Sequence, residues 1–410
     1  MRYLLSGIHA ADTASQTLHA ADTASQAFHA ADTASQAFLT MGFAGGSPIV
    51  LTLDAGGTDL EFHTIRDCQD IAEPLVLPSH GDDLSSCLKN IVDGFQRQKE
   101  AAGGCDAISF AFPGPADYAN GIIGDLRNLP GFRGGVALGP MLEEIFNVPV
   151  FINNDGDLFA YGEALCGILP EINSELAASG SQKRFKNLLG LTLGTGFGAG
   201  IVTDGRLLLG DNSAAAEIRC MRNKLDRDSY AEEGVSIRAI RHAYAQKTGQ
   251  DVEFAPEPKD IAAIAEGALP GDRDAARYAF ERLGEVAGDA AANAITLIDG
   301  LVVIGGGLSG AWKHFLPGMV AEMNREMASV TGRGASSRTY LTVFNLENPK
   351  ERAEFIRGQA VMAQVPGSAR SVPYDPKKRV GVAISKLGAA EAVALGAYFL
   401  AAANLSSRSA

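Results

Sequence analysis

Short solid apolar runs alternate along this chain with longer segments whose apolar residues recur every three or four positions. Runs of the first kind predict buried strands, and segments of the second kind predict amphipathic helices. Strands are expected over 49–53 and 60–65, and Leu84, Leu88, Ile91, Val92 and Phe95 mark one face of a helix over 84–101. A strand over 107–112 is stopped by Pro113-Gly114-Pro115, and a strand over 148–152 delivers Asn153-Asn154-Asp155 to a helix over 158–165. In the second half a charged helical segment is expected over 171–186, followed by a hairpin whose turn is Asp204-Gly205, joining 199–203 to 206–209. Helices follow over 236–248, 258–267 and 275–295, then a buried strand over 301–304. Residues 331–375 are rich in turn formers and read as an excursion from the fold, after which a strand over 379–385 and a helix over 389–400 close the chain. Strands interleaved with helices imply layered α/β architecture.

One element of this pattern occurs twice. Ile49–Leu53 runs into Asp54-Ala55-Gly56-Gly57-Thr58, and Leu188–Leu193 runs into Gly194-Thr195-Gly196-Phe197-Gly198-Ala199-Gly200. Glycine in such a turn lets several backbone N–H groups approach an anion. Two such loops with Asn154-Asp155 between them imply a cleft that clamps a polyphosphate from both sides. Asp54, at a strand exit, suits a hydrated Mg²⁺ held through water, or else is a plain turn cap. Asp155, at a strand-to-helix junction, suits a general base for a substrate hydroxyl, or else is a helix N-cap. Glu217 and Glu232 are either polyol-binding carboxylates or solvated surface groups. Gly305-Gly306-Gly307 is either a platform for a flat purine or a tight packing turn.

Composition narrows the classes. The net charge of −13 (35 basic, 48 acidic) and the lack of a basic patch exclude a nucleic-acid surface from the expectations. Hydrophobic content is 46% and charged content 20%, ordinary values for a globular chain. No apolar run approaches the roughly 20 residues of a membrane span, so no membrane partner is expected. Cys68, Cys87, Cys105, Cys166 and Cys220 are odd in number and never in CxxC pairs, which reads as reduced thiols of a cytoplasmic protein. A near-identical ten-residue unit begins at His9, His19 and His29. It is shorter than solenoid periods and reads as a tandem duplication, or as sequence preceding a start at Met41, rather than as a metal site.

Taken in order, these motifs resemble the ROK family of sugar kinases and sugar-responsive repressors, within the actin-like superfamily. The likeness runs from about Pro48 to Leu400. It implies two actin-like (ribonuclease H-like) α/β domains with an interdomain cleft: 48–153 completed by the helix over 389–400, and 154–388, with 1–47 a repetitive disordered tail. It implies ATP with Mg²⁺ bound by Asp54, Gly56, Gly57, Thr58, Gly194, Thr195, Gly196, Gly198, Gly305, Gly306 and Gly307. It implies a small-molecule sugar held by Asn128, Asn154, Asp155, Glu217 and Glu232, with Asp155 as the base. The expected function is an ATP-dependent kinase acting on a hexose or N-acetylhexosamine, with a non-catalytic sugar-binding regulator or degenerate kinase as the alternative; a homodimer is the implied assembly. The winged helix of the repressors has no counterpart here. Three departures stand out. Glu217-Ile218-Arg219-Cys220 replaces the family's Glu-x-Gly-His, so no structural zinc is expected. Asp157 replaces a usual Asn, and Asp59 adds charge after the first loop.

Overall fold

The computed structural model describes residues 46–55, 58–114, 116–124, 130–329 and 334–409. The first half builds β1 (Val50–Ala55), β2 (Asp59–Arg66), β3 (Gln69–Asp70), β4 (Leu75–Pro78), α1 (Leu84–Ala102), β5 (Ala107–Ala111), β6 (Ala116–Asp117), β7 (Ile122–Ile123), α2 (Leu138–Phe146) and β8 (Val150–Asn153). The main sheet runs β3-β2-β1-β5-β8, with β4 also on β2. β2 lies antiparallel to β1, whereas β5 and β8 continue in parallel. Val50, Leu51, Thr52 and Leu53 are all buried, as a strand covered on both faces requires. On one of those faces Phe62, Phe95, Phe110 and Phe146 pack ring against ring beneath α1 and α2. Asp83 caps α1 by accepting from the Ser85 N–H, and Gly103 ends it with φ 71°.

The second half repeats the plan. It contains α3 (Asp155–Leu165), α4 (Ile168–Ala178), β9 (Leu188–Leu193), β10 (Phe197–Thr203), β11 (Arg206–Leu207), α5 (Ile237–Thr248), α6 (Pro258–Glu266), α7 (Arg273–Ile298), β12 (Leu301–Gly305) and α8 (Trp312–Met323). It continues with β13 (Glu326–Ala328), β14 (Ala335–Ser337), β15 (Thr342–Asn345), α9 (Pro349–Arg357), β16 (Val361–Gln364), β17 (Ser371–Tyr374), β18 (Arg379–Ile384) and α10 (Ala389–Ser409). Its sheet order is β11-β10-β9-β12-β18-β15, again an antiparallel hairpin beside parallel strands. Asp204 and Gly205, both at positive φ, close the β10–β11 hairpin with two residues.

Helices α3 and α10 lie between the two sheets. One apolar cluster gathers Ala107 and Ala111 from the first sheet, Leu158 and Tyr161 from α3, Leu188 and Val303 from the second sheet, and Tyr398 and Phe399 from α10. The two helices cross with their backbones nearly touching. A Cβ on Gly162 would sit 2.0 Å from the Ala392 carbonyl oxygen, and one on Gly396 would sit 1.9 Å from that of Leu158.

Several sequence expectations are corrected. Residues 331–375 are not wholly an excursion, because β15 is the edge strand of the second sheet, paired with β18. The helix expected over 171–186 begins at Ile168 and stops at Ala178, and the next strand starts at Leu188. α3 starts at Asp155, three residues before its expected first turn, because Asn154 caps it. α10 runs on to Ser409, and its segment Ala389–Arg408 does reach the length and hydropathy of a membrane span; much of that apolar surface is buried inside the fold. Cys68 and Cys166 meet as free thiols, Sγ to Sγ 3.3 Å. The decapeptide tail, Gly56, Gly57, Pro115 and Asn128 lie outside the described residues.

Candidate active site

A cleft of about 560 Å³ opens where strand ends of both sheets converge. Asp54 from the end of β1, Gly114 beyond β5, the first turn of α3, the β9–β10 turn, Glu217, Glu232 and Gly306 beyond β12 all line it. The C-terminal ends of parallel strands are where open α/β sheets bind ligands, because loops and helix N-termini meet there. The β9–β10 turn and the turn after β12 sit side by side. Leu308 N–H donates to the Leu193 carbonyl (3.0 Å), and Gly306 has φ 85° with that carbonyl 2.5 Å from where its Cβ would be. Any side chain at Gly306 would collide. Gly305 packs instead against Phe159 of α3, and Gly307 faces open space, so of these three glycines only Gly306 lines the cleft.

At the start of α3 the cap role does not fall to Asp155. Asn154 Oδ1 accepts the Asp157 N–H (2.7 Å) and takes the cap role, leaving Asp155 as the first helical residue. The Asp155 carboxylate accepts the N–H of Gly156 (3.0 Å) and opens to the cleft. Protein surrounds it on its other sides, and that desolvation holds it above the usual carboxylate range. The Gly156 N–H opposes the shift, and the negative charge of Glu217 adds to it. Asp54 is also raised, by burial first and then by Glu61 and Asp155. Two carboxylates facing one cleft form a hard-oxygen donor set that fits a hydrated divalent cation.

The second glycine loop is only partly free. Thr195 and Gly196 line the cleft, and their N–H groups meet no acceptor among the described residues. The Phe197 N–H, by contrast, donates to Glu232 Oε2 (3.2 Å), while Glu232 Oε1 accepts from Arg238 (3.0 Å). Arg238 also donates to the Thr195 carbonyl (3.2 Å) and pairs with Glu233. Glu232 therefore lines the cleft and braces the loop at once. Glu217 lines it too, with Arg219 Nε donating to one of its oxygens. Thr58, Gly198 and Asp59 differ in placement: Gly198 lines the cleft, and Thr58 and Asp59 are exposed and do not.

Arg238, Arg219 and Tyr118 escaped sequence reasoning. Tyr118 donates to the Phe112 carbonyl (2.9 Å), and burial together with Asp155, Asp157 and Glu217 raises its phenol above the ordinary range. Nothing local in the sequence marks it. Arg238 had one available signal, its spacing of five and six residues from Glu233 and Glu232.

The sequence pattern of the ROK family matches residues 50–338. An N-acetyl-D-glucosamine kinase of Vibrio cholerae is 29% identical over 268 residues, which are 62% of this chain and 83% of that one. A solved glucokinase from Parabacteroides distasonis is 56% identical with a TM-score of 0.79, covering 88% of this chain and 99% of its own. A Streptomyces griseus ROK glucokinase solved with glucose and AMPPNP has a TM-score of 0.54 at 19% identity, covering 86% of this chain and 98% of its own, a likeness of fold alone. The chain has the two-domain actin-like fold and belongs to the ROK family. By class it is an ATP-dependent carbohydrate kinase.

Proposed function

We propose that this protein transfers the γ-phosphoryl group of ATP to a hydroxyl of a hexose or N-acetylhexosamine, with Asp155 as general base. The observation that carries the reading is the release of Asp155 from capping by Asn154, which leaves its carboxylate open to a cleft lined by the β9–β10 glycine turn. The carboxylate accepts the proton of the sugar hydroxyl as that oxygen attacks phosphorus in line. Asn154 and Glu217 hold neighbouring hydroxyls. The N–H groups of Thr195 and Gly196 receive phosphate oxygens, where pre-oriented donors stabilise developing charge. Mg²⁺, when bound with ATP, neutralises phosphate charge, and Asp54 would hold it through water. The cleft walls exclude competing water as they close on the sugar.

Asp155→Asn keeps the shape and removes the base. Expected is a fall in kcat of about 10²–10⁴-fold with sugar affinity little changed. Turnover retained at the wild-type level removes Asp155 from this role. Because the base must be ionised and its carboxyl is raised by burial, kcat/KM should fall on the acid side at a pH above that of an ordinary aspartate, about 3.9. A wild-type protein that binds hexoses in calorimetry yet never consumes ATP would instead be a sugar-binding regulator.

A further inference from the structure

The segment between the two cleft glutamates is tied down by its own hydrogen bonds and ion pairs. Among the described residues no group of three His, Cys, Asp or Glu side chains gathers to bind a metal. Asn223 Oδ1 accepts from the N–H groups of Leu225 and Asp226, and Ala231 N–H donates to the Met221 carbonyl (2.7 Å). Lys224 anchors the loop to α7 and α8 through Glu285 and Glu322, each 2.6 Å away. These contacts fix where the segment begins and ends. They do not orient the Glu217 carboxylate, which is 40% exposed and follows Ala216 at φ 61°.

Orientation comes from within one short turn. Ile218 is buried against the second sheet's core, so the 3₁₀ turn Ile218–Cys220 is anchored by its first residue, and Glu217 and Arg219 both face the cleft. Arg219 Nε donates to Glu217 Oε2, while among the described residues Glu217 Oε1 and both Arg219 Nη groups meet no protein partner. An ion pair this open to water adds little to stability, so stability alone is a poor account of it. Its effect is directional. It pins one carboxylate oxygen, presents the other to a substrate hydroxyl, and sets a planar fork of donors beside it. Asp54, Asp155, Glu217 and Glu232 all carry negative charge into the same cleft, and Arg219 is the cation among its described lining residues.

We propose that Arg219 is the positioning residue of the sugar pocket, orienting Glu217 through Nε and donating through its Nη groups to an acceptor oxygen of a neutral hexose. This rests on the kinase reading above. Arg219→Ala should raise the sugar KM tenfold or more, with the ATP KM and kcat within threefold of wild type and an unchanged melting temperature. Arg219→Lys should recover only part of the loss, because an ammonium cannot serve both partners in a plane. In a Glu217→Gln background the Arg219→Ala penalty should shrink, since the two act together. A sugar KM within twofold of wild type, or an equal penalty in both backgrounds, overturns the proposal. If the wild type turns over no hexose, the kinase reading fails by itself. The same comparison is then made on glucose and N-acetylglucosamine affinity by calorimetry, with tenfold weakening expected and no weakening overturning the proposal.

Discussion

Asp157 sits uncomfortably in the first turn of α3. It is 4% exposed, Oδ2 accepts from Asn154 Nδ2 (2.9 Å), and Oδ1 has no partner among the described residues. Burial, with smaller additions from Glu217 and Asp155, pushes its carboxyl up to about 7. Between about pH 4 and pH 7 the native state therefore holds a proton that the unfolded chain has released, and stability falls as pH rises through that window. Asp157→Asn removes the proton from the cycle. Expected is a melting temperature nearly unchanged at pH 4 and raised at pH 8, with a gain of about 2–4 kcal/mol; an equal change at both pH values contradicts it. The sequence marked Asp157 as a departure but held no sign of its burial. That comes from β10, where Gly200 leaves only 2.7 Å between a notional Cβ and the Asp157 Cα. Asp155 was legible as a candidate, and its freedom was not, because an aspartate at a strand-to-helix junction suits the cap equally and only the folded helix gives that role to Asn154.

The elements that could be read from sequence were those with their own periodicity. α1 has buried positions at Cys87, Ile91 and Phe95, and β9 and β12 are solid apolar runs; all three stand within a residue or two of expectation. β15 was not legible because its four residues sit among turn formers, and its identity as a strand comes from pairing with β18. The α3–α10 crossing was equally hidden. Glycines at 162 and 396 inside helices look like weak points, at about 1 kcal/mol each against alanine in an isolated helix. Here they permit backbone contact. Gly396→Ala would place a methyl 1.9 Å from the Leu158 carbonyl and should destabilise the fold by about 3 kcal/mol, measured by denaturant unfolding. A neutral or stabilising alanine would mean that the helices part more readily than their packing indicates.

At the scale of the whole chain, the repeated strand and glycine turn foretold the repeated architecture. β1 and β9 each pair with an antiparallel successor and a parallel neighbour, and Asp54 at the end of β1 lines the same cleft as the β9–β10 turn. What the repeat could not foretell is the apolar cluster shared by both sheets through α3 and α10, which joins residues more than 200 positions apart. Each half has an apolar cluster of its own, and this third cluster, common to both, ties them together. Thermal unfolding should accordingly be one cooperative transition, with calorimetric and van't Hoff enthalpies in agreement; two resolved peaks would show that the halves melt separately.

The helix crossing has a mechanical consequence. α3 is a stiff rod with Asp155 at its tip and Gly162 at the point where it bears on α10. Seven residues of helix put the tip about 10 Å from that fulcrum. A tilt of roughly 6° would swing the carboxylate by about 1 Å, and for the base proposed above a displacement of that size costs about 100-fold in rate. With backbone pressed against backbone, no side chain is present at the bearing to yield and absorb such a tilt. A methyl group added there would act at the far end of the lever, and with Asp155 as the proposed base it would be felt in kcat before it was felt in sugar binding.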